Sequence, residues 1–255
     1  MTAALDSKLA TLWHPALNRE ARAGCRAPDM LILHYTGMES CEAALDWLTC
    51  EVSKVSCHYL VDQDGRITQM VAEAERAWHA GQSFWAGETD LNSCSIGIEI
   101  HNPGYDFDYP DFTEAQMQAV EALCTDILTR HAIPPDRVLA HSDIAPGRKR
   151  DPGEKFDWAR LARAGIGLWV EPLPPSGDLG LGVGDESEEV AKLQEALAAY
   201  GYGVEPTGTF GRGLEQVVQA FQLHFRRARI DGRADASTRA TLDRLLAERH
   251  GTKVV

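Results

Sequence analysis

The stretch "SIGIEI", residues Ser95–Ile100, decides the expected fold of the larger part of this chain. Its three isoleucines alternate with Gly97 and Glu99, and a period of two residues is that of a β-strand with one buried face. The alternation therefore predicts a strand that turns its isoleucines into a core and presents Glu99 on the opposite face.

Apolar runs on both sides of this stretch predict further strands. "MLIL" (Met30–Leu33) leads into a histidine, and so does "RVLA" (Arg137–Ala140). The runs "CHYLV" and "RITQMV" enclose an Asp-Gly pair, which is a strong signal for a β-hairpin. Thr113 and Gln116 form a capping box that opens an amphipathic helix. Together these patterns predict an α/β fold with a mixed central sheet flanked by helices.

A segment rich in proline and glycine, residues 168–187, separates this part from an all-helical one. It has no hydrophobic periodicity, which is typical of a linker. The chain after it carries three apolar stripes at helical spacing, and the copies "TGTFGRGLEQVV" and "DGRADASTRATL" each predict a turn that leads into a helix. We therefore expect a first domain over residues 1–170, a linker over 171–185 and a small C-terminal three-helix bundle over 186–250.

The composition excludes several classes of protein. The formal net charge of -13 argues against a nucleic-acid binder, because such proteins present a basic face. No apolar run approaches the ~20 residues of a membrane span, and the first residues lack the pattern of a signal peptide. The six cysteines form no CxxC pair and are expected to be free, mostly buried thiols. Free thiols favour a cytoplasmic protein, with the periplasm as the alternative if a leader has been removed.

Five side chains in or after the predicted strands have the chemistry of a hydrolytic metal site. His34 and His141 each end an apolar run, and in α/β sheets the loops at such ends form sites. Two imidazoles and a carboxylate, with one position open, make the ligand count of a catalytic zinc site. Asp151 is the favoured third ligand, because the loop after His141 can fold back. Glu99 would then act as general base, and Lys149 would stabilise an oxyanion.

Each of these residues also has a purely structural explanation. A histidine at a strand end often only bonds to nearby backbone. Glu99 fits the solvated face of an edge strand, and the Arg148-Lys149-Arg150 run fits a solvated loop. Histidine is frequent in this chain, so spacing alone leaves the metal site and these structural roles as alternatives.

Longer motifs carry more information than spacing. Four segments lie within residues 32–158: "ILHYTGMES", "CHYLVDQDGRITQMVAEAERAWHAG", "SIGIEIHNPG" and "VLAHSDIAPGRKRDPGEKFDW". In this order they resemble the zinc-dependent N-acetylmuramoyl-L-alanine amidases. The likeness that they carry covers roughly residues 12–165. The resemblance implies Zn²⁺ as cofactor on His34, His141 and Asp151, with Glu99 and Lys149 as catalytic residues. It also implies a substrate groove lined by Tyr59, His79 and Asn102.

The helical part has a resemblance of its own. Residues 185–246 resemble the small peptidoglycan-binding domain that cell-wall hydrolases often carry. Gly211 and Leu214 stand where the second copy of the repeat has Asp235 and Thr238, a departure that bears on glycan binding.

The two resemblances imply a bacterial hydrolase of cell-wall degradation or recycling. It would cleave the amide between N-acetylmuramic acid, or its anhydro form, and L-alanine with a zinc-activated water, so its partner would be peptidoglycan or a muropeptide. The alternatives are a zinc peptidase that cuts within the stem peptide and a non-catalytic peptidoglycan sensor. The sequence indicates no oligomeric state. Residues 1–174 contain the whole expected site, which predicts that this part folds and acts on small muropeptides alone.

Overall fold

The computed structural model describes residues 5–251, without the side chains of Cys25 and His250. Five cysteines in this range are free thiols, as the sequence predicts, and three of them are buried. The side chain of Cys25, the sixth, lies outside the described part of the chain. Within residues 5–251 no helix has both the length and the apolar character needed to cross a bilayer.

A six-stranded sheet forms the centre of the first part of the chain, with the strand order β1-β5-β4-β7-β3-β8. Only the β4–β5 hairpin is antiparallel, and the other neighbours run parallel. Two short strands, β2 and β6, pair separately. The strands are β1 Leu12–Trp13, β2 Arg19–Ala21, β3 Met30–Tyr35, β4 Tyr59–Val61, β5 Ile67–Gln69, β6 Glu75–Ala77, β7 Ser95–Ile100 and β8 Val138–Ala140. The predicted mixed α/β sheet is confirmed.

Eight α-helices surround this sheet in the described part of the chain. They are α1 Cys41–Thr49, α2 Leu91–Cys94, α3 Glu114–Arg130, α4 His141–Ile144, α5 Trp158–Arg163, α6 Glu188–Tyr200, α7 Arg212–Phe225 and α8 Ala236–Gly251. The predicted capping box opens α3: Thr113 Oγ1 accepts from the Gln116 amide at 3.1 Å, and the Gln116 side chain accepts from the Thr113 amide at 3.0 Å. The last three helices form the predicted bundle.

The two faces of the sheet bury different helices. On one face, the isoleucines of β7 pack in a cluster with Met117, Val120 and Leu123 of α3 and with α5. On the other face, Met30 and Ile32 of β3 belong to one cluster with the apolar stripes of α6, α7 and α8. The predicted boundaries at 170 and 186 remain a prediction, but the sheet and the bundle share this second core.

The two copies of the repeat have the same local structure. Gln194 of α6 accepts from the Gly208 amide at 2.8 Å and donates to the Thr209 carbonyl at 3.1 Å. One copy later, Gln222 of α7 accepts from the Gly232 amide and donates to the Arg233 carbonyl, both at 2.9 Å. Both glycines have positive φ, 75° and 72°, which glycine adopts without strain. Each copy is thus a turn held by a glutamine of the preceding helix.

Candidate metal centre and active site

Parallel pairing of three neighbouring strands brings the candidate residues to one edge of the sheet. His34 of β3 lies directly beside Glu99 of β7 in the strand register. Because β8 pairs with the other side of β3 and ends at Ala140, it places His141 at the first position of α4, beside His34. The carboxyl ends of parallel strands are the usual location of a site in such sheets.

The predicted ligands converge. One donor atom each from His34, His141 and Asp151 lies within 4.8 Å of the others, and all three residues are buried. Nδ1 of His34 is 2.8 Å from Nδ1 of His141, and Asp151 Oδ2 is 3.2 Å from the first and 3.0 Å from the second. The Ser142 amide donates to the Asp151 carbonyl at 3.0 Å, which folds the loop back as the sequence predicts.

A chain of hydrogen bonds fixes the tautomer of His34. The Ser95 hydroxyl donates to the Leu91 carbonyl at 2.5 Å, so its oxygen is free to accept from His79 Nε2 at 3.1 Å. His79 Nδ1 is then the acceptor for His34 Nε2–H at 3.0 Å. Since the proton of His34 is on Nε2, its Nδ1 presents a lone pair to the cluster.

A backbone carbonyl group fixes the same tautomer in His141. Its Nε2 lies 3.2 Å from the carbonyl oxygen of Ala80. A carbonyl only accepts, so Nε2 carries the proton and Nδ1 presents a lone pair. Two imidazole lone pairs therefore face each other across 2.8 Å with a carboxylate oxygen beside them.

Electrostatics at this cluster favour a bound cation. Burial and the adjacent His141 lower the pKa of His34 from 6.5 to about 4, so it stays neutral near pH 7. Burial acts to raise the pKa of Asp151, but the neighbouring histidines lower it strongly and keep the carboxylate ionised. Two imidazoles and a carboxylate fit zinc, which takes three protein ligands in catalytic sites. The residues present therefore fit the expected metal.

Glu99 lies in the same cleft without a bond to the cluster. Its Oε2 atom is buried and has no hydrogen-bond partner within residues 5–251. Burial, and then the charge of Asp151, raise the pKa of Glu99 well above its ordinary 4.5, and Lys149 opposes this shift. A carboxylate with an orphaned oxygen and a raised pKa is suited to accepting a proton from a substrate.

The three neighbouring cations of the loop have different roles. The Arg148 guanidinium donates to the carbonyls of Ala80 and Gln82, at 2.6 and 2.7 Å. The Arg150 guanidinium lies 3.6 Å over the ring of Tyr105. The ammonium group of Lys149 has no hydrogen bond or ion pair within the described residues, and Lys149 lines the cleft. Lys149 is therefore the cation that is free to meet a substrate.

The cleft itself has a volume of about 450 Å³. Its walls include His79, Glu99 and Lys149 together with aromatic side chains. The sequence did not indicate two of these aromatic residues, Trp47 of α1 and Trp78, because nothing in their local pattern distinguishes a cleft wall from ordinary surface. Gly97 did carry a signal, since glycine inside a strand marks a close approach. A Cβ at Gly97 would lie 2.5 Å from the His79 ring.

The structure separates the three residues expected to line the substrate groove. His79 lines the cleft, but Tyr59 and Asn102 are not among its walls. Tyr59 is fully buried in the core below the sheet, and its hydroxyl donates to Glu73 at 2.6 Å. Asn102 is also buried and uses its side chain to bond Pro110 and Gly104. Both residues support the fold, and their part in a substrate groove stays a prediction.

Comparison with known proteins agrees with this geometry. The family model described as N-acetylmuramoyl-L-alanine amidase matches residues 24–154, and a peptidoglycan binding domain model matches residues 186–242. The chain is 41% identical over 245 residues to N-acetylmuramoyl-L-alanine amidase AmiD of Escherichia coli strain K12, covering 91% of this chain and 87% of that protein.

Two solved structures extend the comparison to substrate complexes. One is AmiD from E. coli with anhydro-N-acetylmuramic acid-L-Ala-D-gamma-Glu-L-Lys, with a TM-score of 0.75, 40% identity and coverage of 90% of this chain and 92% of that one. The other is AmpDh3 from Pseudomonas aeruginosa with anhydromuramic pentapeptide, with a TM-score of 0.75, 35% identity and coverage of 88% and 92%. The chain belongs to the N-acetylmuramoyl-L-alanine amidase family.

Proposed function

We propose that this chain hydrolyses the amide between the lactyl group of N-acetylmuramic acid and L-alanine, with zinc as its cofactor. The observation that carries the proposal is the convergence of His34, His141 and Asp151 next to the unpartnered Glu99 in one cleft. Family membership supplies the reaction class. The set of ligand atoms, two imidazole nitrogens and a carboxylate oxygen, indicates which metal would be bound.

Each side chain of the site has a different role in the proposed reaction. A zinc ion held by His34, His141 and Asp151 would polarise the scissile carbonyl and lower the pKa of a water molecule. Glu99 takes the proton of the attacking water at Oε2 and passes it to the leaving amine of L-alanine. The free ammonium of Lys149 stabilises the negative charge that develops on the carbonyl oxygen. The burial of the adjoining His34, His141 and Asp151 keeps this charge interaction strong.

We propose a soluble anhydro-muropeptide as the preferred substrate. Both similar complexes hold an anhydromuramic peptide as the bound molecule. In this chain the cleft offers Trp47 and Trp78 for a sugar ring, and Lys149 for a carboxylate or oxyanion. Cell-wall recycling is the process in which such a substrate arises. Peptidoglycan binding by the bundle is a proposal of the same kind and rests on the family match.

Product analysis tests this function directly. The purified chain is incubated with anhydro-N-acetylmuramyl tripeptide and, separately, with insoluble sacculi, and the products are identified by mass spectrometry. Release of the free sugar and an intact peptide beginning with L-alanine is the expected result. Cleavage inside the peptide would favour the zinc peptidase, and tight binding without any product would favour the sensor.

The cellular location is a separate proposal. Five free thiols in the described part of the chain support a reducing compartment, and so the cytoplasm. Fractionation of the native host with an antibody against the chain tests it. Recovery of the protein in the periplasmic or membrane fraction would overturn the proposal.

A further inference from the structure

A buried carboxylate connects the bundle to the metal centre. Asp143 of α4 is 1% exposed and lies two residues after His141. Both of its oxygens accept from side chains of the helical part: the Tyr202 hydroxyl donates to Oδ1 and His224 Nδ1 donates to Oδ2, each at 2.6 Å. The bundle thus contributes two hydrogen bonds to the short helix that begins with a metal ligand.

Asp143 also bonds to the backbone next to His141. Its Oδ2 also accepts from the Ala140 amide at 2.8 Å, which caps the first turn of α4. Ala140 is the last residue of β8 and directly precedes His141. The orientation of the His141 imidazole therefore depends on a turn whose cap is held from the bundle.

The two donors are themselves held rigidly. The His224 ring stacks between Trp158 and Phe225, with centroid distances of 3.8 and 3.7 Å. Its Nδ1 carries the proton that Asp143 accepts, and its Nε2 is buried without a partner in the described part of the chain. Tyr202 packs edge-on against Trp85 at 4.9 Å. Burial and the nearby Asp143 hold the pKa of Tyr202 well above 10, so it remains a donor.

We propose that Asp143, Tyr202 and His224 are positioning residues of the metal centre, through which the bundle sets the orientation of His141. The inference rests on the metal-dependent function proposed above. None of the three touches the ligand atoms, so they act through His141. Outer partners that orient a metal ligand typically contribute ~10- to 100-fold to metal affinity or activity. The bundle is then part of the catalytic apparatus as well as a candidate wall-binding module.

Conservative variants of the full-length chain test this role. Tyr202→Phe removes one donor, His224→Phe removes the other while keeping an aromatic ring in the stack, and Asp143→Asn changes the acceptor. Tyr200→Phe is the matched control, because Tyr200 is equally buried and packs edge-on against the same Trp85 but does not bond Asp143. Zinc affinity is measured by competition with a chromophoric chelator, alongside kcat, KM and thermal unfolding.

The expected result is a weaker metal site in the three variants but not in the control. We expect about 10-fold weaker zinc binding for Tyr202→Phe and for His224→Phe, and up to about 100-fold for Asp143→Asn, with the activity loss in kcat. If all four variants lose thermal stability but keep wild-type zinc affinity and kcat, the contacts only stabilise the fold and the inference is wrong. A wild-type chain that binds no zinc or cleaves no muropeptide would instead refute the proposed function.

Discussion

Nδ1 of His34 and Nδ1 of His141 face each other at 2.8 Å, and each carries a lone pair because its own Nε2 proton is bonded elsewhere. Such a contact is repulsive without a cation between or beside the rings. The loss of either ring leaves two ligands, which is below the three that catalytic zinc sites use.

The first prediction follows from that pair. His34→Ala should abolish bound zinc and turnover together, while the sheet remains folded because the substitution creates little new strain. Metal content by mass spectrometry and amidase assays measure both effects. His14→Ala is the control, since His14 lies outside the cleft and should leave both quantities unchanged. An active, metal-free His34→Ala protein would refute the metal mechanism.

Replacement of Glu99 separates the base from the metal. Glu99→Gln keeps the shape of the side chain but cannot accept the proton, so kcat should fall by ~10²- to 10⁴-fold with zinc retained. Activity of the wild type should fall as pH drops through the pKa of Glu99, because only the carboxylate is a base. Since burial raises that pKa well above 4.5, this acidic limb should lie above the range of an exposed glutamate. Near-normal turnover of zinc-loaded Glu99→Gln would exclude the assignment.

The oxyanion role of Lys149 also predicts a loss of kcat. Lys149→Ala removes the one cleft cation that has no partner within residues 5–251, so it should lower kcat by about 10²- to 10³-fold as loss of an oxyanion donor does. Zinc content should not change. A pure rise in KM with normal kcat would show that Lys149 binds the substrate equally in the ground state and the transition state and gives the oxyanion no extra stabilisation.

A methyl group at position 97 tests the hydrogen-bond chain behind His34. The Cβ of Gly97→Ala would lie 2.5 Å from the His79 ring and should push that ring off His34 Nε2. We expect zinc affinity to fall about 10- to 100-fold. Gly213→Ala in α7 is the control, because a Cβ there meets no atom within 4 Å. Equal zinc affinity in both variants would show that His79 does not orient His34.

Periodicity and local signals predicted the elements of this fold well. The alternation in β7, the Asp-Gly hairpin and the Thr113 capping box each depend on neighbouring residues only, so they can be read from a short stretch of sequence. The convergence of His34, His141 and Asp151 was predictable too, because the two strand ends and the returning loop are local features and the family motifs contain them. What these signals do not encode is the partner of a buried face.

The burial of Tyr59 and the packing of the bundle on the sheet could not be predicted from the sequence. Tyr59 pairs with Ile98 in the register of β4 and β7, and this pairing turns it into the core instead of the cleft. Register is set by contacts between distant segments, and a two-residue period does not give it. In the same way, the apolar stripes of α6 and α7 predict that each helix buries one face. They do not predict that this face packs against β3.

The shared core gives a prediction for truncation. Removal of residues 175–255 would expose an apolar sheet face that includes Met30, Ile32 and Leu139, so we expect the remaining chain to aggregate or unfold and to lose activity on soluble muropeptides as well. This differs from the independence that the linker composition alone suggests. Circular dichroism and activity on anhydro-muropeptide measure the effect.

The matched control for that deletion is a break of the peptide chain in the linker that removes no residues. A protease site placed at the exposed Ser176 would break the linker and leave the bundle in place. The nicked protein should stay associated and active. If the truncated chain is folded and equally active on the small substrate, the bundle serves only to bind the wall.

The pairing of Asp143 with Tyr202 and His224 also constrains how such enzymes can evolve. Linkers are the usual points at which domains are exchanged between genes. A foreign bundle with a matching apolar face but no donors at these two positions would leave the carboxylate buried and unsatisfied, at ~1–3 kcal/mol for each lost partner. We therefore expect the two halves of this chain to be inherited together in evolution. A functional chimaera must exchange the two donors along with the carboxylate.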